Sequence, residues 1–329
     1  MKSELLDTQS DKVAVKNEAY YCCNPLQNGG LSFFANDIIR ICCGCAADEY
    51  VVAKSTDRIE EIIEKIPEKK IKLIESFKKG IIPQNCKGCF LLKKDNWQEP
   101  NMTIRFINMN HFIACNLKCK YCGSFMQDMP NKVKDSNTQN ILNVLHSFAQ
   151  RRIMKAEFSM EIAGGEPSIL EGIDDLINFC IENRVHTGLH TNGTVYKESI
   201  AKASMVENFY IILTPDAGTR EVYNKIKGVD CFDKVWDNIG KYMEATNSSK
   251  QLQVKFIIQP DNVDDIENMI EMCVKKKVKT VIVDLDYRFE SENAKFYPMV
   301  KKFITLCKNN DITVKNGNFL TKETFESLL

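Results

Sequence analysis

A chain of 329 residues can bury one large core or two smaller ones, and its 44 basic and 44 acidic side chains leave no net charge. That balance argues against a nucleic-acid partner, because phosphate contacts want a basic face. No apolar run approaches the length of a membrane span, and Met1 to Asn17 lack an apolar signal core, so no membrane association is expected and the chain is read as cytoplasmic. Its fourteen cysteines, several as CC or C-x2-C, fit metal ligation in a reducing compartment better than a disulfide framework.

Residues 1–18 read as a polar tail. A cysteine-rich module is expected over 19–95, holding Cys22, Cys23, Cys42, Cys43, Cys45, Cys86 and Cys89. Within it, Leu31 to Cys42 reads as a β-hairpin turning at Asn36-Asp37. Thr56-Asp57 offers a helix cap before Ile59, Ile62, Ile63 and Ile66 at helical spacing, and Pro67 is expected to end or bend that helix. A second helix carries Ile71, Ile74 and Phe77 and stops at Gly80. Cys86-Lys87-Gly88-Cys89 closes the module. Taken alone, this set also fits a structural zinc ribbon.

The polar stretch Lys93 to Asn101, with Pro100, reads as a boundary. Strand candidates follow at Thr103–Asn110, Ala156–Ala163, Val185–His190, Phe209–Leu213, Leu252–Gln259 and Thr280–Leu285, with amphipathic helices between them. Six strands alternating with helices predict an α/β domain with a parallel sheet and right-handed crossovers, over 96–290. Residues 291–329 add a helix from Ser291 to Asn309 and a strand candidate at Ile312 to Val314. Cys180, Cys273 and Cys307 fall on apolar helix stripes and read as core; Cys231, at a helix start, also reads as structural.

The first strand runs into Cys115-Asn116-Leu117-Lys118-Cys119-Lys120-Tyr121-Cys122. A four-iron cluster normally takes four thiolates, so three in eight residues can hold three corners and leave one iron open to a non-protein ligand. A zinc knuckle is the competing reading, but it wants a second ligand pair that does not follow closely. The second strand ends in Gly164-Gly165-Glu166-Pro167. Its glycines permit close approach to a ligand, its glutamate offers a carboxylate to a cation, and its proline stiffens the exit.

Together these two motifs resemble the radical S-adenosylmethionine superfamily, across about Asn101 to Tyr287. The resemblance implies a partial (β/α)6 barrel with its site at the C-terminal strand ends. It implies a [4Fe-4S] cluster on Cys115, Cys119 and Cys122 and a bound S-adenosylmethionine. Gly164, Gly165 and Glu166 would serve the methionine moiety and Tyr121 would lie near adenine. Asn192, in the third-strand end His190-Thr191-Asn192-Gly193, would contact the cofactor; a plain turn residue is the alternative. Thr214 and Asp216, at the fourth strand end, keep the chemistry of a family Ser-x-Asp-Gly that approaches the ribose; Asp216 as a helix cap is the alternative. Asp286 and Arg288 read either as substrate groups or as a pair at the rim.

The N-terminal module is similar to the auxiliary-cluster module called SPASM, or its shorter form, twitch. There a hairpin between two cysteines precedes a helix and C-x2-C. The resemblance implies Cys23, Cys42, Cys86 and Cys89 as ligands of an auxiliary iron–sulfur cluster, with Cys22, Cys43 and Cys45 as spare candidates. Asp37 stands where the family has glycine, and the module precedes the barrel instead of following it.

The function implied is reductive cleavage of S-adenosylmethionine and hydrogen-atom abstraction by a 5′-deoxyadenosyl radical. Such chemistry needs a donor at the low end of a range spanning roughly −700 to +450 mV, a reduced flavodoxin or ferredoxin, and oxygen-free conditions. A small molecule such as a sugar or amino-sugar is the leading substrate expectation, since too few residues precede Tyr20 for a leader-binding domain. A peptide-modifying maturase is the alternative, and a non-catalytic metal or electron-transfer protein is a third reading.

Overall fold

The computed structural model describes residues 20–42, 50–87, 89, 91–95, 102–122, 134–246 and 250–329. The expected tail (1–18), Cys43, Cys45 and the side chain of Cys22 lie outside the described residues, as does most of the expected boundary (96–101).

All six barrel strands form where the sequence places them. They are β6 (Ile104–Asn110), β7 (Met154–Ile162), β8 (His186–Thr191), β9 (Phe209–Leu213), β10 (Leu252–Ile258) and β11 (Thr280–Leu285). Neighbours pair parallel in sequential order, and β12 (Thr313–Asn316) continues the series beside β11. Sequential parallel order with right-handed crossovers sends every connection to one face, which leaves the other face to curl inward as in a barrel. The helical connections begin with Thr138–Gln150, whose Asn137 side chain accepts from the Gln139 N–H as an N-cap. Cys180, Cys273 and Cys307 are buried, as their places on apolar stripes predict.

The N-terminal segment departs from the picture of a separate module. Strands β2 (Gly30–Phe34), β3 (Ile38–Arg40) and β4 (Val51–Lys54) make the expected hairpin and one strand more. Asn36 and Asp37 turn it with φ of 60° and 61°, the doubly left-handed turn that Asn and Asp tolerate. But β2 also pairs parallel with β6, so hairpin and barrel share one ten-stranded sheet, ordered β12-β11-β10-β9-β8-β7-β6-β2-β3-β4. A single hydrophobic core runs through both, from Leu26 and Phe33 to Ile312 and Phe325. Among the described residues, β1 (Tyr20–Cys23) and β5 (Leu92–Asp95) stand outside that sheet, as an antiparallel pair.

Pro67 neither ends nor splits its helix. Residues Ile59–Lys78 form one helix that buries Ile62, Ile66, Leu73, Ile74 and Phe77. An interior proline costs about 3 kcal/mol, and each buried apolar side chain returns about 1.5–3 kcal/mol, so five of them outweigh it. Ile71, expected on the core stripe, is instead 49% exposed, and Lys70 is buried in that register. The last long helix begins at Tyr297, not Ser291, because Pro298 favours the first turn; 3-10 turns fill Tyr287–Phe296. A short helix at Lys322–Leu328 was not expected from the sequence. Among the described residues no helix is long and apolar enough to cross a membrane.

Candidate functional site

The cysteine loop leaves β6 and is pinned from several sides. Asp135 Oδ1 accepts from the N–H groups of Ile113 (2.7 Å) and Ala114 (3.3 Å). The strand end after β7 supports it from below: Gly165 N–H donates to Phe112 O at 3.0 Å and Glu166 N–H to Ala114 O at 2.8 Å. A Cβ on Gly165 would lie 2.1 Å from Ala114 O, and one on Gly164 2.7 Å from Phe112 O. The paired glycines therefore admit the cysteine-loop backbone itself, a need the sequence reading assigned to a ligand.

Cys115 is exposed, while Cys119 and Cys122 are half-buried. Burial pushes the Cys122 thiol up to about 11, and the neighbouring Cys119 and Cys115 thiols add to the rise. Burial likewise raises Cys115, against the Leu117 N–H that bonds its sulfur at 3.5 Å. Three mutually interacting thiols on one loop, with N–H donors to a sulfur, fit a cluster with one open iron. Among the described residues no three metal-binding side chains converge as tightly as a single bare ion requires; thiols that each address a separate iron need not.

The other expected cofactor contacts divide into two groups. Asn192 is at the rim: its Nδ2 donates to Asn116 Oδ1 at 2.9 Å and lies 3.8 Å from the Cys115 sulfur. Thr214 stands half-buried at the end of β9, its N–H 3.4 Å from Thr191 O. Glu166, in contrast, is buried and receives four donors. Ser168 N–H (2.9 Å), Ser168 Oγ (2.6 Å) and Thr191 Oγ1 (2.5 Å) reach Oε1, and Asn192 N–H (2.6 Å) reaches Oε2. It laces the ends of β7 and β8 together.

Asp216 is likewise fully buried, with φ at 56°. Its Oδ2 accepts from Tyr121 Oη at 2.6 Å and from Lys227 Nζ at 2.7 Å, and its Oδ1 accepts from Ile257 N–H at 2.8 Å. That carboxylate is bonded on both oxygens by groups of the protein. It does not cap the next helix: Asp265 Oδ2 takes the Gly218 and Thr219 N–H groups there. Tyr121 is held by the same contact, with Lys227 donating to its hydroxyl at 2.6 Å.

Lys227 escaped the sequence reading. It ends the helix Arg220–Lys227, four residues after Tyr223 on the same buried face, and that spacing was the available signal. Asp286 and Arg288 do pair at the rim, with Nε of Arg288 3.0 Å from both carboxylate oxygens. Arg288 then donates to Lys120 O and Tyr287 Oη to Tyr121 O, each at 3.0 Å, so the end of β11 clasps the cysteine loop.

Inside the curl lies a cavity of about 810 Å³ that all six barrel strands help to line, among them through Asn108, Glu161, His190, Ile212, Lys255 and Ile282. His190 Nε2 and Glu161 Oε2 are 2.8 Å apart, and Lys255 Nζ meets the buried Asp284 at 2.7 Å. Pro25, Ile41 and Leu91 close the cavity on the N-terminal side.

Each of those three residues sits one or two positions from a cysteine. Cys23, at the end of β1, is pushed up to about 12, mostly by burial, and Cys42, Cys86 and Cys89 all add to the rise. The four cysteines singled out in the sequence thus form one electrostatic group. The Leu26 N–H bonds the Cys23 sulfur, and Tyr50 Oη lies 2.5 Å from the Cys86 sulfur. Cys89 N–H donates to Cys86 O at 3.1 Å, folding C-x2-C into a knuckle.

An open parallel strand–helix sheet with three clustered thiols on its C-terminal rim defines an iron–sulfur enzyme of the partial-barrel type. The chain belongs to the radical SAM superfamily, whose family model matches residues 109–273. That family uses a [4Fe-4S] cluster and S-adenosylmethionine. The chain is 26% identical over 236 residues to the cysteine-type anaerobic sulfatase-maturating enzyme of Clostridium perfringens, covering 66% of this chain and 62% of that one. It is 27% identical over 185 residues to a GTP 3′,8-cyclase of Clostridium perfringens, covering 55% of each. Among solved structures, Streptococcus suis SuiB bound to its precursor peptide SuiA matches in fold with a TM-score of 0.53 at 13% identity, over 84% of this chain and 58% of that one. The chain spans about half the length of the curated relatives it matches.

Proposed function

We propose that the chain is a radical SAM maturase. It would hold its catalytic cluster on Cys115, Cys119 and Cys122 and an auxiliary iron–sulfur cluster on Cys23, Cys42, Cys86 and Cys89, and would modify a peptide side chain in the cavity between them. When bound, the reduced cluster and S-adenosylmethionine supply the 5′-deoxyadenosyl radical that takes a hydrogen atom from substrate. The observation that carries this reading is the cavity: one wall is made by near neighbours of the N-terminal cysteines, and the other by Ala163 and His190 at the strand ends beside the catalytic loop.

The chain's own residues bind and orient. Asn192 abuts the exposed Cys115, where the open side of the cluster would face cofactor. Gly164 and Gly165 hold the backbone that would meet the methionine moiety. The Glu161–His190 pair puts a proton-accepting group beside any substrate in the cavity. A peptide is preferred to a sugar or amino-sugar because two of the relatives named above carry a peptide or protein-maturation name. A flavodoxin or ferredoxin is the electron donor that the low potential calls for.

Iron and sulfide per chain after anaerobic reconstitution test this. About eight of each supports two four-iron clusters. About four would remove the auxiliary cluster from the reading and leave the N-terminal thiols as a zinc or docking element.

A further inference from the structure

Among the described residues that line the barrel cavity, Lys255 is the single lysine or arginine and Glu161 the single carboxylate. Glu161 is engaged along the wall: its carboxylate lies across β8, where a Cβ on Gly188 would come within 2.4 Å of Oε2, and that oxygen meets His190 at 2.8 Å. Lys255 stands on β10 between Val254 and Phe256, which are buried in the core, so strand alternation turns it to the cavity side. One strand, β9, separates it from His190 on β8, a distance of about 10 Å between the two strands.

Lys255 Nζ is 2.7 Å from Asp284 Oδ2, but the two halves of this pair are not equivalent toward the cavity. The Asp284 side chain is 1% exposed and is not among the lining residues, whereas Lys255 keeps 15% of its side chain exposed and is one of them. The loop after β12 seals the carboxylate. Phe319 N–H (2.8 Å) and Leu285 N–H (3.0 Å) donate to Oδ1 and Asn318 N–H (3.1 Å) to Oδ2, and a Cβ on Gly317 would lie 2.2 Å from Cγ. Backbone donors thus serve both oxygens of Asp284 apart from Lys255. An ammonium carries three N–H donors and a single carboxylate oxygen takes one, so Lys255 keeps donors for a second acceptor in the cavity.

We infer that Lys255 is a specificity-determining residue: its ammonium receives a carboxylate of the substrate, either an acidic side chain or the free C-terminus of a peptide. The inference rests on the peptide reading of the proposed function. The wall near Lys255 is otherwise apolar or neutral, from Ile212 and Ile282 to Asn316 and Asn318. A carboxylate buried against such a wall without a cation is costly, whereas one on Lys255 gains a charge-assisted hydrogen bond. Glu161 repels a carboxylate on the β7 and β8 side, so the anionic group has one favourable place and the direction of the peptide is set.

The test is affinity selection by the anaerobically reconstituted enzyme with S-adenosylmethionine added. Two synthetic pools of randomised N-acetylated octapeptides are offered, one with C-terminal amides and one with free carboxylates, and bound peptides are read by mass spectrometry. Wild type is expected to enrich carboxylate-bearing peptides about tenfold or more over their Asn, Gln or amide counterparts. Enrichment of Asp or Glu in the amide pool assigns the group to a side chain; enrichment confined to the free-carboxylate pool, whatever its sequence, assigns it to the C-terminus. Lys255→Met should abolish the preference while neutral peptides bind as before, and Lys255→Arg should keep it. A structural role, acting through Asp284 and its loop, would weaken all peptides alike, and that result overturns the inference. So does an unchanged preference in Lys255→Met, or a wild-type selection indifferent to carboxylates. Selection of no peptide by wild type refutes the peptide reading, and the inference falls with it. Should Lys255→Met fail to fold, competition on wild type decides: displacement of the selected peptides by glutarate but not by glutaramide supports the inference, and equal effects refute it.

Discussion

The molecule holds two cysteine groups, each proposed above to hold an iron–sulfur cluster, that are assembled by opposite routes. The catalytic loop draws its three thiols from eight consecutive residues, and the strand-to-loop turn after β6 sets their order before any long-range contact forms. The N-terminal group draws its four from Cys23, Cys42, Cys86 and Cys89, set beside a strand, a hairpin, a helix and a knuckle. The first is local and depends on the fold for precise placement. The second exists only once the chain has folded. A site of the first kind should fail by losing function, and a site of the second kind by losing its assembly.

The sharpest test of that contrast is Cys119→Ala. It should abolish 5′-deoxyadenosine formation entirely while leaving the N-terminal iron in place, read by product chromatography and iron content on the same sample. Normal product formation would sink the assignment of the loop. Cys86→Ala is the counterpart. It should remove about half of the reconstituted iron, an auxiliary four-iron share, yet still permit S-adenosylmethionine cleavage without substrate. Loss of all iron would mean that the two groups are not independent.

Lys70 sharpens the comparison on the N-terminal side. It is buried, its Nζ has no hydrogen-bond partner among the described residues, and burial pulls its pKa from 10.5 down to about 8. The unfolded chain therefore binds the proton more tightly than the fold does. The penalty on the fold is complete below pH 8 and fades as pH rises toward 10.5. Lys70→Met should stabilise the protein by about 3 kcal/mol at most near pH 7, with the gain gone by the top of that window, as thermal melts across pH would show. A gain that does not change with pH would remove the ionisation account.

Gly228 gives the smallest effect, on the catalytic side. Its φ is 69°, and a Cβ there would lie 2.8 Å from Lys118 O. Gly228→Ala should cost about 1–3 kcal/mol and reduce iron loading in the catalytic loop alone. Equal loss at both groups would point to general destabilisation.

The same division explains what the sequence made legible. Strand positions came through because alternating burial repeats locally, and the hairpin turn because Asn36-Asp37 can take two left-handed residues in succession. The three loop cysteines were readable for the same local reason. The parallel pairing of β2 with β6 was not, since it joins segments about seventy residues apart with no spacing rule. At Glu166 and Asp216 the motif shows a carboxylate but not its neighbours; only the fold reveals that Ser168, Thr191, Tyr121 and Lys227 bond them. Pro67 misled because intrinsic propensity was weighed without the packing on either side of it.

The pairing of β2 with β6 has a consequence for how this protein can be cut. In chain order β6 opens the barrel, yet in space it lies mid-sheet, with β2 on one flank and β7 on the other. A fragment starting at Ile104 would bare a row of amides and carbonyls along β6, a ready template for strands of other chains. The barrel half of the molecule is therefore the half least suited to life alone: severed from its hairpin it should self-associate into aggregates.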